Sequence, residues 1–147
     1  AARTTEARSA KLSEFDQQAR VSPVPADRMK SGRPHRVPLS DMAMSIVITV
    51  GDLISDGEYL FPGVPGEGLS QMAMAELLKG MRPGFTVHGF RSSFRDWAAE
   101  KTTFPREVAE AALAHVLSDK TEAAYQRGDL FEKRRELMAA WAKFLSD

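Results

Sequence analysis

Cysteine is absent from the 147 residues, so the chain has neither a disulfide framework nor a cysteine-ligated zinc site. That fits a reducing cytoplasm. An excess of charge is absent too. Twenty Lys and Arg balance twenty Asp and Glu, which argues against indiscriminate nucleic-acid binding by the domain as a whole. The longest apolar stretch, 42–50, is interrupted by Ser45 and Thr49 and is too short to span a bilayer. The first residues lack the basic-then-apolar layout of a secretory signal. Side chains suited to chemistry are scarce, with three His and two Tyr in all.

A chain of 147 residues with 43% apolar content is long enough to bury one core, so 1–147 reads as a single domain. It opens on Ala1-Ala2-Arg3, without a starting Met, as though inside a helix, and is read as a piece of a longer protein. Segments 11–15, 20–24 and 36–38, separated by turn-like residues and shortened by Pro23, Pro25 and Pro38, predict a small three-stranded antiparallel meander. Ser40-Asp41 starts a helix with Met44, Val47 and Ile48 on one face. A Gly- and Pro-rich loop follows over 57–68, then a helix over 70–79. Thr86 or Val87 begins the next, with Phe90, Phe94 and Trp97 on one side. His88, Arg91 and Arg95 fall within roughly 60° of one another on a polar face, at about 100° per residue. Thr102 or Thr103 caps a further helix with Pro105 in its first turn, along which Val108, Ala112 and His115 share a stripe. Ser118 caps a short helix bearing Tyr125 and closing at Gly128. Asp129 and Glu132 resemble a capping box, followed by an amphipathic helix with Leu130, Leu137, Met138, Trp141, Phe144 and Leu145 on its apolar face. The class is α+β, mostly helical, with one small sheet near the N-terminus.

Charge is unevenly placed. Residues 28–36 carry Arg28, Lys30, Arg33, His35 and Arg36 and no acid, whereas 37–78 carry six acids and no Lys or Arg. The basic group can form a phosphate-facing patch or an ordinary solvated surface. Tyr125 lies ten residues after His115, and Arg91 lies 24 before it. A phosphodiester resists attack because its transition state gathers negative charge on the non-bridging oxygens. Arginine stays ionised and grips two oxygens at once, histidine donates or takes a proton, and a phenol is a serviceable nucleophile. Each residue alone also fits a bland role: His88 and Arg91 an exposed face, His115 a helix terminus, Tyr125 and Tyr59 packing, and Lys30 a solvated hairpin turn.

The wording of the segments is more specific. His88-Gly-Phe-Arg-Ser-Ser-Phe-Arg-Asp-Trp97, Ala112-Leu-Ala-His115 and Glu122-Ala-Ala-Tyr125-Gln-Arg-Gly-Asp129 resemble the catalytic box of the tyrosine recombinase (phage integrase) family, in its P4-like prophage integrase branch. Similar too are Arg28-Met-Lys30-Ser-Gly-Arg-Pro-His-Arg-Val-Pro-Leu39-Ser40, Arg3-Thr-Thr-Glu6 with 11–16, and Tyr59-Leu-Phe-Pro62-Gly63. Ser22-Pro23 departs from the branch, which more often has an aromatic and a β-former there.

The resemblance implies a DNA breaking-rejoining catalytic domain, with the helices before Arg3 and the arm-binding and core-binding domains lying outside 1–147. It implies that Tyr125 attacks DNA to form a 3′-phosphotyrosyl link. Arg3 and Arg91 clamp the scissile phosphate, His115 bonds it, Lys30 protonates the leaving 5′ oxygen, His88 assists proton transfer, and Glu6 supports the site. Arg28, Arg33, Arg36 and Arg95 are candidate DNA contacts. It implies no metal, nucleotide or other cofactor. The partners are double-stranded DNA attachment sites and further copies of the chain, joined through the C-terminal helix in a tetrameric synapse, with no membrane involved. The expected location is the bacterial cytoplasm, at the nucleoid. A non-catalytic DNA-binding or assembly fragment and a single-strand nuclease without strand joining are the alternatives.

Overall fold

In the computed structural model, residues 2–54, 57–115 and 128–147 are described. They run as α1 (Thr4–Arg8), a 3-10 turn (Leu12–Glu14), β1 (Val21–Val24), a second 3-10 turn (Ala26–Arg28), β2 (His35–Pro38), α2 (Asp41–Asp52), α3 (Ala73–Met81), α4 (Gly89–Lys101), α5 (Arg106–Ala112) and α6 (Phe131–Ser146). The class is α+β and mostly helical, as the periodicity predicts.

The sheet has two strands rather than three. β1 and β2 pair antiparallel with Val21 opposite Pro38 and Val24 opposite His35, and the register holds through Ser22 and Pro23. Segment 11–15 is diverted by one side chain. Glu14 accepts the Lys11 backbone N–H at 3.0 Å, and its own N–H donates to the Lys11 carbonyl at 3.0 Å, winding the segment into a 3-10 turn. Its strand-like pairing goes elsewhere. Leu12 N–H donates to the Glu58 carbonyl (3.0 Å) and Leu60 N–H to that of Ala10 (2.8 Å), so Lys11 bridges Tyr59. A bridge between Asp16 and Val21 closes the turn into β1.

Helix starts follow side-chain capping. Ser40 accepts the Ala43 N–H at the head of α2, Ser70 accepts that of Ala73 at the head of α3, and Thr86 accepts that of Gly89 at the head of α4. At α5 the expected cap fails. Thr102 donates its hydroxyl back to the Ala98 carbonyl (2.6 Å), and Pro105 holds the capping position itself.

Two apolar clusters fill the interior. In the first, Phe94, Trp97 and Ala98 of α4 meet Val108 and Ala109 of α5, Leu113, and Leu137 of α6. Trp141 of α6 completes it, 4.9 Å from the Trp97 ring and edge-on to Phe94 at 5.5 Å. The second joins Ala10, Met44, Val47 and Leu60. The expected faces are thus correct at Met44, Val47, Phe94 and Trp97, whereas Ile48 and Phe90 are exposed. On α6, Leu137 is fully buried in its own domain, while Phe144 and Leu145 are exposed. Among the described residues no helix is long and apolar enough to cross a membrane.

Candidate active site

The end of α5 shapes the site. Ala114 takes a left-handed backbone conformation (φ 50°). Its N–H donates to the Ala111 carbonyl and that of His115 to the Glu110 carbonyl, both at 3.0 Å. This is a Schellman ending with alanine where glycine is usual. The expectation that His115 continues the stripe of Val108 and Ala112 is therefore corrected: the helix ends at Ala112, and His115 lies beyond the reversal.

Two guanidinium groups converge on this turn. Arg3 donates to the Ala114 carbonyl at 3.1 Å, and Arg91 donates to the adjacent Leu113 carbonyl at 2.7 Å. The same nitrogen of Arg91 lies 3.3 Å from His115 Nε2. Glu6, buried, accepts both the Arg3 backbone N–H (2.8 Å) and its guanidinium (2.7 Å), which fixes that side chain from the other end. Arg91 was expected on an exposed polar face of its helix. It is instead buried, because that side of α4 is covered by the α5 turn. Burial, and next the charge of Arg3, push the affinity of the Arg91 guanidinium for its proton below the ordinary arginine value. It nonetheless stays ionised at neutral pH.

Glu110 is a site residue that the sequence reading missed. It is buried at the end of α5 and accepts His115 Nδ1–H at 2.6 Å and Arg95 Nε–H at 2.9 Å. Burial would raise its pKa, but the hydrogen bonds from His115 and Arg95 outweigh that and hold it below the usual carboxylate range. With Nδ1 turned to Glu110, Nε2 is the ring nitrogen left facing Arg91. The available signal was a lone acid inside Val108-Ala-Glu-Ala-Ala-Leu113, otherwise wholly apolar.

Arg3, Glu6, Arg91 and His115 are thus brought together. His88 is exposed at the head of α4, one turn before Arg91, and its carbonyl accepts the Arg91 N–H. Lys30 is exposed in the β1–β2 connection, next to buried Met29. Tyr125, with its expected helix from Ser118, lies outside the described residues. Of the basic residues expected to touch DNA, Arg33 is exposed near the hairpin tip. Arg28 instead binds Glu14 and the Ser9 carbonyl, Arg95 binds Glu110, and Arg36 binds Asp129 with two hydrogen bonds of 2.9 Å.

Two arginines and a histidine edge on consecutive carbonyls form a cationic cradle for a small oxyanion such as a phosphate. The chain matches the phage integrase family over residues 1–129, and it belongs to that family. It is 38% identical over 144 residues to prophage integrase IntA of Escherichia coli K12, covering 95% of this chain and 35% of that protein. It is 29% identical to the integrase of Shigella phage Sf6, covering 100% of this chain and 39% of that one. The integrase of enterobacteria phage P4 is 28% identical, over 97% of this chain and 37% of its own length. The chain therefore spans between a third and two-fifths of the length of these relatives. No solved structure gives a significant match.

Proposed function

We propose that the chain is the catalytic part of a site-specific DNA recombinase that cuts and rejoins double-stranded attachment sites through a 3′-phosphotyrosine intermediate. The observation that carries this is the meeting of Arg3, Arg91 and His115 at the Leu113–Ala114 carbonyls. In this reading a scissile phosphate binds there, its non-bridging oxygens held by the two guanidinium groups. The Tyr125 phenol gives its proton to a water molecule and its oxygen attacks phosphorus. The bond to the 5′ oxygen breaks, and that oxygen leaves as a hydroxyl after taking a proton from Lys30. The negative charge gathering on the non-bridging oxygens is met by fixed cations rather than by reorganising water. His115, held through Nδ1 by Glu110, turns Nε2 toward the phosphate and in its protonated form donates to it. Glu6 holds Arg3 in place, and His88 assists proton transfer from the head of α4. Attack by a second 5′ hydroxyl reverses the step and joins new ends. The phosphotyrosyl bond conserves the energy of the cut, so rejoining needs no external source.

The exposed Phe144 and Leu145 at the end of α6 fit a role in self-association on DNA, and the setting would be the bacterial nucleoid. A pool of nicked duplexes with randomised cores, incubated with the protein and resolved on a denaturing gel, tests the reading. A covalent adduct that is lost in Tyr125→Phe supports it. DNA binding without any adduct would make the chain a non-catalytic binding fragment. Cleavage that survives Tyr125→Phe and leaves free ends would indicate a nuclease.

A further inference from the structure

Glu110 gives one carboxylate oxygen to each of two partners. Oε2 accepts from His115 Nδ1 at 2.6 Å, and Oε1 accepts from Arg95 Nε at 2.9 Å. The side chain is buried, so an oxygen left without a donor there is costly. Arg106 Nε comes within 3.9 Å of the same Oε1, too far for a hydrogen bond. The other ring nitrogen of His115 lies 3.3 Å from Arg91. An arginine nitrogen can only donate, so the neutral ring accepts there through Nε2 and carries its proton on Nδ1. A line of polar contacts thus runs from Arg95 through Glu110 and His115 to Arg91, and both its ends stand on α4, one turn apart.

Resting on the recombinase reading above, we propose that Arg95 is a positioning residue for His115, acting through Glu110, and not a contact to DNA. A free carboxylate turns readily about its last bond. Arg95 prevents this by holding Oε1, so Oε2 stays aimed at Nδ1 and the ring stays seated with Nε2 beside Arg91. His115 needs that hold. It follows the left-handed Ala114 beyond the end of α5, and its side chain is 42% exposed, so packing covers only part of the ring. The two guanidinium groups of the cradle have anchors of their own. Arg91 bonds the Leu113 carbonyl, and Arg3 bonds Glu6 and the Ala114 carbonyl. Loss of Arg95 should therefore loosen the histidine and spare both arginines. Arg95 is itself half exposed, so replacing it opens no cavity in the core.

Proton NMR of the protein alone reads the first link. The His115 Nδ1–H, shared with Glu110, should give a far-downfield signal, identified among the three histidines by its loss in His115→Asn. In Arg95→Gln that signal should broaden or vanish. On the nicked-duplex pool, Arg95→Gln should lower the single-turnover rate of adduct formation by about 100-fold, the order expected when a reacting group shifts by about 1 Å. DNA affinity and its salt dependence should stay at wild type. Arg95→Lys keeps a cationic donor for Oε1 and should restore most of the rate and the signal. Arg106→Ala removes only the more distant charge and should change neither. Arg95→Met, which keeps the aliphatic stem, serves if the glutamine variant does not fold. A wild-type adduct rate in Arg95→Gln would overturn the inference, whatever its signal. So would weaker DNA binding with a shallower salt slope and an intact signal, which would make Arg95 a phosphate contact. A wild-type protein that forms no adduct fails differently. It removes the recombinase reading, while the imidazole signal still reports whether Arg95 holds His115.

Discussion

Ala114 adopts a backbone conformation that costs an L-residue about 1–2 kcal/mol, and glycine would adopt it freely. Set against the extra freedom glycine has when unfolded, Ala114→Gly should stabilise the domain by about 0.5–1 kcal/mol. That corresponds to a rise in Tm of about 1–4 °C, measured calorimetrically; a lower Tm would mean the turn is not left-handed. The same residue explains why His115 was misplaced on a helical stripe. Alanine is the strongest helix former and gives no sign of an ending. Arg91 reads as exposed because the α4 face it shares with His88 and Arg95 is polar, whereas the α5 turn that it bonds lies 22 residues away. Arg91→Ala should lower stability by about 1–3 kcal/mol, because the Leu113 carbonyl loses its donor. An unchanged urea midpoint would contradict this. His35 gives a pH signature. Burial, then the nearby Arg134 charge, lower its pKa to about 4. The unfolded chain, with an ordinary histidine near 6.5, takes up the proton first as pH falls, so it binds more protons throughout that window. Stability should be full above pH 6.5 and decline from there to about pH 4. His35→Gln, followed by urea unfolding across this range, should flatten that slope.

The longer helices were largely legible as elements, because they carry an apolar stripe and three of the six described helices have a hydroxyl cap. Ser40, Ser70 and Thr86 each accept a backbone N–H at a helix head, as their position suggested. The sheet was less so. The pattern of 11–15 is compatible with a strand, and nothing local reveals that Glu14 captures the Lys11 N–H. Nor does the sequence show that the loop carrying Tyr59 provides the pairing instead. The tightest packing joins α4, α5 and α6, where Trp97 lies among Phe94, Trp141 and Phe144. Trp97→Ala should cost about 3–5 kcal/mol, read from the urea midpoint. A variant as stable as the parent would show that these rings do not support the fold. Ile48 and Phe90 show the limit of periodicity. A stripe says which face is apolar, but which parts of it find cover depends on elements far along the chain.

Across the molecule, the order of motifs pointed to the cradle, while its supports came from residues with no motif of their own. Arg3, Glu6, Arg91 and His115, singled out by the order of the motif segments, do meet in space. Glu110 and Arg134 were not legible, because a buried acid and a buried arginine resemble surface charges until a fold encloses them. Arg36 shows the reverse: read as a DNA contact from its basic neighbourhood, it is engaged within the chain. The hydrogen bond from Arg3 to Ala114 spans 111 positions, and that from Arg36 to Asp129 spans 93. Contacts so distant along the chain close late in folding, since the entropy of the intervening loop must be overcome first. A nascent or partly proteolysed chain consequently lacks the paired guanidinium groups, so an oxyanion can be held between them only after the two distant segments have closed on each other.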